Sequence, residues 1–154
     1  MPLLPWKHDG LFRSHRFDAE LAMLADRHYS RQKVGSPQFV APGSNLVYRD
    51  KVGLVVFVWL WQLPEYRDDG QEGYCCAMFR NESDRLSSEI ILEAEDLAIA
   101  EWGTNRMFTY VKPSAIRSAN PGYCFKQAGW KFVKKIKGKH LLEKIPREGH
   151  SISG

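Results

Sequence analysis

Residues 52–61, Val-Gly-Leu-Val-Val-Phe-Val-Trp-Leu-Trp, constrain the fold more than any other stretch. A run so rich in β-branched and aromatic residues offers water no polar face. As a strand it belongs in the middle of a sheet covered on both sides. It is about half as long as a membrane-crossing helix requires. A doubly covered sheet needs amphipathic partners, and the chain supplies them. Residues 17–27 place Phe17, Leu21, Leu24 and Ala25 at helical spacing among the helix formers Ala19, Glu20 and Met23. Residues 86–102 set Leu86, Ile90, Ala94, Leu97 and Ala98 on one face and Glu89, Glu93 and Asp96 on the other, with Gly103 as a stop.

The remaining elements follow from turn chemistry. Residues 46–49 and 52–61 read as a hairpin through Asp50-Lys51, and 74–79 as a third strand. Residues 107–111 form a strand closed by Pro113, and Asn120-Pro121-Gly122 leads into a short helix, 123–127, ended by Gly129. Strands at 130–136 and 140–145 turn at Gly138. The predicted order is α, β, β, β, α, β, α, β, β. Strands alternate with helices only in the second half, so the expectation is an α/β (α+β) domain with a mixed sheet over residues 17–146. Residues 1–16 precede it as an arm or irregular first strand, and 147–154 follow as a mobile tail.

At 154 residues, 44% hydrophobic and 26% charged, the chain has material for one core. The apolar start, residues 1–6, is too short for a signal-peptide core, so a cytoplasmic protein with no membrane partner is expected. Of the three cysteines, Cys75 and Cys76 are adjacent in a strand and point to opposite faces. No Cys-x-x-Cys spacing exists, which favours reduced thiols over a disulfide or structural zinc.

The net charge of +4 is unevenly distributed. Residues 102–142 hold nine Lys/Arg and no carboxylate, whereas 65–101 hold eleven acidic and three basic residues. Lys131, Lys134, Lys135, Lys137 and Lys139 cluster closely enough to meet a polyanion; a merely solvated face is the plainer role. The polar string at 26–39 concentrates His28, Tyr29, Ser30, Arg31, Lys33, Ser36 and Gln38 before and around the Gly35-Ser36-Pro37 turn. Such connections usually touch a ligand; the alternative is a solvated loop over Tyr29 and Phe39. Residues 79–88 run from strand to helix N-terminus, an arrangement that suits an anion. Arg80, Asn81, Ser87 and Ser88 stand there, as ligands or simple caps.

This order resembles the GNAT acyltransferase fold, in which the loop after the fourth strand cradles the coenzyme A pyrophosphate. Phe125-x-x-x-Gly129-Trp130 looks like that fold's aromatic-x-x-x-Gly-aromatic signature. The usual Arg/Gln-x-x-Gly-x-Gly/Ala cradle is missing. In its place stands Arg80-Asn81-Glu82-Ser83-Asp84-Arg85-Leu86-Ser87-Ser88, without glycine and with two carboxylates that repel phosphate. An acyl-CoA-like donor therefore meets an unfavourable loop.

Three blocks spread over residues 20–145 carry a more specific likeness. HYSRQKVGSPQFVAPG, then FRNE with LSSEII, then TYVKPSAIRSANPGYCFKQAGW are similar to phage Mom-type DNA modification proteins, divergent GNAT-fold proteins that convert adenine to N6-carbamoylmethyladenine and protect phage DNA from restriction. The resemblance implies double-stranded DNA and a small-molecule group donor as partners, in a phage-infected or lysogenic host. It leaves iron open as a cofactor.

An exocyclic adenine amine is a weak nucleophile, so transfer to it needs a proton acceptor and an oriented electrophile. Under the resemblance His28 is the candidate base. Tyr29 would donate to a developing oxyanion or stack on an extruded base, Ser30 would hydrogen-bond, and Asn120 would orient. Asn120 also suits a helix N-cap. Ser36 and Gln38 would read the adenine edge, Arg31 and Lys33 would hold phosphates, and Tyr123 would line the cleft with Cys124. Lys131, Lys134 and Lys135 would anchor the DNA backbone, while Arg80, Asn81, Ser87 and Ser88 would face the donor. Two other functions fit the chain: a GNAT acetyltransferase on a small amine or protein, and a non-catalytic DNA-binding module. The large tryptophan set, Trp59, Trp61, Trp102 and Trp130, leaves room for a homodimer.

Overall fold

A computed structural model of the chain describes residues 10–26, 40, 43–113 and 120–146. The elements in chain order are β1 (Phe12–Arg13), α1 (Ala19–Ala25), β2 (Ser44–Arg49), β3 (Val55–Trp61), a 3-10 turn (Pro64–Tyr66), β4 (Tyr74–Asn81), α2 (Ser87–Trp102), β5 (Met107–Val111), α3 (Tyr123–Gln127), β6 (Lys131–Ile136) and β7 (Lys139–Lys144). The strands form one mixed sheet ordered β1-β2-β3-β4-β5-β7-β6. Only β4 and β5 run parallel.

Burial on both faces does put β3 near the middle, with Val55, Val56, Phe57, Val58 and Trp59 at most 1% exposed. Its side chains alternate between two cores. Val55, Phe57 and Trp59 face α2, meeting Ile90, Ile91, Ala94 and Ala98. Val56 and Val58 face α1, meeting Leu21, Leu24 and Ala25. Cys75 and Cys76 divide between opposite faces as expected, and both are free thiols.

Several boundaries move for identifiable reasons. Helix α1 starts at Ala19, not residue 17, because the Asp18 carboxylate accepts the Leu21 amide at 3.2 Å and so caps the helix there. The same carboxylate takes the Ser14 hydroxyl at 2.6 Å and Arg49 Nη1 at 2.9 Å. Strand β3 starts at Val55, not residue 52. Asp50 Oδ1 accepts the amides of Gly53, Leu54 and Val55 within 3.1 Å, which holds the residues before Val55 in a turn ahead of the ladder.

Helix α2 departs from the simple amphipathic expectation. Leu86, expected on its buried face, is the N-cap and 63% exposed. Glu93, expected on the polar face, is 3% exposed: it accepts the Leu11 amide at 2.7 Å and Arg85 Nη1 at 2.8 Å. Glu95 is likewise buried, between Lys144 and Trp130. The helix is flanked by the chain entering β1 on one side and by β7 on the other, so more than one stripe is covered. Trp59 and Trp130 are fully inside this core, their rings stacked with centroids 6.2 Å apart. Trp61 and Trp102 pack against Tyr74 nearer the surface.

Candidate functional site at the fork of the sheet

The parallel pair β4 and β5 is joined over only three positions: Tyr74 with Met107, Cys75 with Phe108 and Cys76 with Thr109. Immediately beyond them, the β3 ladder steps from Trp59–Cys76 to Val58–Met78, leaving Ala77 as an extra residue. Such a bulge bends and twists its strand. From there β4 continues beside β3 to Asn81, while β5 continues beside β7 to Val111. The two strands part into a cleft that opens at their carboxyl ends, where ligands bind in open α/β sheets. At the fork the Thr109 hydroxyl donates to the Cys76 carbonyl at 2.9 Å.

On the α2 side the cleft is bordered by Phe79 and Val111, and α3 covers it through an edge-on Phe79–Phe125 contact at 6.1 Å. Helix α3 is seated by Gly122, its N-cap at φ 74°. A Cβ there would lie 2.4 Å from Leu142 Cδ1 and 3.3 Å from Val111 Cγ2, so only glycine lets the loop approach the end of β5. Asn120 is thus not the cap: its carbonyl accepts the Tyr123 amide at 3.1 Å, and its side chain accepts Lys126 Nζ at 2.6 Å. Tyr123, the first residue of α3, is 56% exposed. Cys124 packs partly into the core, and burial pushes its thiol up, away from the thiolate a nucleophile needs.

On the donor side, Arg80 pairs with Glu82 at 2.7 Å. Asn81 is fully engaged within the loop, its Nδ2 reaching the Arg85 carbonyl (2.8 Å) and Ser87 Oγ (3.0 Å). Its Oδ1 accepts the Ser83 amide and hydroxyl at 2.9 and 2.5 Å. The Glu82 amide goes to the Leu54 carbonyl, and the Arg85 amide to Ser83 Oγ. A pyrophosphate cradle needs such amides free and pointing outward. Here three of them are already committed and two carboxylates stand beside them, so these residues do not fit coenzyme A. Leu86 supplies no side-chain cap, leaving the Ser87–Ser88 end of α2 as the electropositive feature of this side.

On the opposite face, β5 turns Tyr110 toward the loop that follows the 3-10 turn. The Tyr110 hydroxyl donates to Asp69 Oδ2 at 2.7 Å, and Arg67 grips both Asp69 oxygens at 2.8 Å. The guanidinium of Arg67 holds the Asp69 carboxyl well below the usual carboxylate range, and burial together with Asp69 pushes the Tyr110 phenol up. Arg67 and Arg106 both lie on the Phe108 ring, 5.0 and 4.9 Å from its centroid. Beneath them burial pushes the Cys75 thiol up to about 11. Local periodicity does not announce this network, because Phe108 and Tyr110 on β5 meet Arg67 and Asp69, from the loop before β4, through the parallel β4–β5 register.

The register also sorts the lysines. His140 is level with Val111 and Lys135, so the β6–β7 turn stands at the open end of the fork. Lys134, Lys135, Lys137 and Lys139 are exposed there, and Lys112 follows β5 at the same end. Lys131 lies at the other end, opposite Glu143, whose carboxylate is bound by Arg106 at 2.7 Å.

His28, Tyr29, Ser30, Arg31, Lys33, Ser36 and Gln38 lie outside the described residues. Asp26 and Val40, which flank that stretch, are described; Val40 packs into the α1 core against β3 and β4, and Asp26 caps α1 above it. Among the described residues no group of three His, Cys, Asp or Glu side chains is arranged to hold a metal, and no helix is long and apolar enough to cross a membrane.

No protein-family model matches the chain, and no curated protein matches it. Among solved structures, the crystal structure of an acyl-CoA N-acyltransferase from Pseudomonas aeruginosa matches with a TM-score of 0.53. It is 14% identical, over 87% of this chain and 97% of that one, which makes the likeness one of fold. The chain is a single mixed domain with a GNAT-like acyltransferase fold.

Proposed function

We propose that this chain is a group transferase acting on the N6 amine of adenine in DNA, producing N6-carbamoylmethyladenine as phage Mom-type proteins do. The observation that carries the reading is the juxtaposition at the open end of the fork: a cleft between β4 and β5, a donor loop without a pyrophosphate cradle, and a lysine-rich hairpin beside the mouth. Lysines at that place suit a phosphate backbone more than a small neutral amine. The three sequence blocks similar to Mom-type proteins add the substrate and the product.

In this reading the adenine N6 lone pair attacks the methylene carbon of a carbamoylmethyl donor. The N–C bond forms as the bond from that carbon to its leaving group breaks, and the leaving group departs with the electron pair. The N6 proton passes to His28. Tyr29 and Ser30 hydrogen-bond the reacting groups, and Asn120 orients the strand. The donor is recognised by features other than a diphosphate.

The test is mass spectrometry of nucleosides from plasmid DNA recovered after expression of the chain. The expected result is a deoxyadenosine in which one hydrogen is replaced by a carbamoylmethyl group, lost in His28→Ala while DNA binding persists. Unmodified DNA alongside abundant folded protein overturns the reading. Turnover of acetyl-CoA on amines in the same preparation would point instead to an N-acyltransferase, the activity named for the P. aeruginosa protein.

A further inference from the structure

Strand β6 is an outer edge of the sheet and is exposed along almost its whole length. Its lysines and the bulge at Val133 are ordinary protection against edge-to-edge pairing. The aromatic residue among them is not protection. Phe132 is 47% exposed and Val133 40%, where a charged residue would shield the edge better. Phe132 is paired with Leu142, so it faces the α2 side, as does His140 two residues before Leu142. The two rings meet edge to face, 5.0 Å between centroids. Among the described residues His140 Nδ1 is buried without a hydrogen-bond partner, and the imidazole packs against Phe132.

An exposed ring braced from behind, with Lys135 level with His140 on the same side of the sheet, is the pattern of a strand-binding surface. The ring takes a base by stacking and the cations take the flanking phosphates. A base inside a duplex has both faces covered by its neighbours, so such a ring selects bases that have left the stack.

We propose that Phe132, braced by His140, is a stacking platform for an unpaired nucleobase, and that this chain takes a single-stranded or locally opened nucleic acid strand along β6. The proposal rests on the nucleic-acid reading above and narrows its substrate. An acidic peptide would use the lysines and leave the ring without a role, and an anionic bilayer, which could take both, is set apart by the vesicle arm of the test.

The experiment measures binding of the full chain to a short labelled oligodeoxynucleotide, alone and annealed to its complement, across a salt series. Anionic phosphatidylserine vesicles and polyglutamate serve as competing polyanions. The expected result is tighter binding of the single strand. Phe132→Leu should weaken it by roughly ten-fold, the scale of one lost base–aromatic stack, while Phe132→Tyr retains it and duplex affinity is the same for all. Leucine keeps apolar cover over Leu142 and His140, so the comparison stands even if Phe132→Ala fails to fold. Parental single-strand affinity in Phe132→Leu, a preference for duplex, or equal binding of vesicles or polyglutamate overturns the proposal. Binding is read without any transfer reaction, so the two hypotheses fail separately. Modified adenine together with an indifferent Phe132→Leu sinks the platform alone. The expected binding pattern on DNA that is never modified sinks the transferase alone.

Discussion

Lys144 Nζ lies 2.6 Å from Glu95 Oε1, while Glu95 Oε2 accepts the Trp130 indole N–H at 2.9 Å and Lys144 also donates to the Ala128 carbonyl. One buried carboxylate thereby ties α2 to β7 and to the chain that enters β6. Burial pushes the Glu95 carboxyl up although Lys144 and Trp130 both favour its charged form. Glu95→Gln keeps an acceptor for Trp130 but strands the ammonium, so stability should fall by about 3 kcal/mol in urea unfolding. Lys144→Met should cost less, because a carboxyl already pushed upward can take a proton. Equal losses would show that the pair acts as a unit.

Acid stability should be set by two opposed groups of carboxylates. The Arg67 hydrogen bonds hold Asp69 down. Asp18 is raised by burial, but Ser14, Arg49 and the Leu21 amide together outweigh that and leave it lowered. A depressed carboxyl stabilises the fold above its unfolded value of 3.8 and loses that contribution as pH falls through the folded value. Burial holds Glu93 and Glu95 above 4.5, so the fold binds their protons more tightly and loses stability as pH rises just past that value. Asp69→Asn should flatten the acid limb and Glu95→Gln the limb above it. Chemical denaturation at a series of pH values checks both.

Gly122→Ala should cost about 2 kcal/mol or more, from the left-handed backbone and from crowding against Leu142 and Val111. The loss should appear in thermal unfolding together with reduced activity, because the same loop seats α3 beside the fork. An alanine variant of parental stability would mean that Leu142 yields freely.

Salt dependence should separate the lysines by place. Lys134→Ala with Lys135→Ala should lower DNA affinity and reduce the slope of log K against log salt by about two. Lys131→Ala, opposite the Arg106-bound Glu143, should change the slope less. Equal effects would mean that the phosphate contacts are not concentrated at the open end of the fork.

Coenzyme A should not raise the Tm of the protein, since the Glu82, Ser83 and Arg85 amides are already bonded within the fold. A concentration-dependent rise would show that the loop opens to receive a diphosphate.

Local chemistry determined a great deal of this protein. Within the run at 52–61, residues 55–60 are the strand buried on both faces that its composition predicts, while 52–54 fall in the turn before it; Met107–Val111 and Tyr123–Gln127 have the predicted bounds, since Pro113, Gly122 and Gly129 act on their immediate neighbours. The mixed sheet follows from the order of elements, and the basic hairpin is visible as a run of charge. What only the tertiary structure decided depends on partners far along the chain. Glu93 reads as part of a solvent face until Leu11 and Arg85 close around it, and Glu95 is buried by Lys144 and Trp130. The fork exists because β4 and β5 pair for three residues and a bulge at Ala77 then turns β4 away, a matter of register between strands separated by a whole helix. Which lysines reach its mouth, and that Phe132 meets His140, follow from that same register, because hydrogen-bonded pairing between distant strands, and not spacing along the chain, brings them to one end of the sheet.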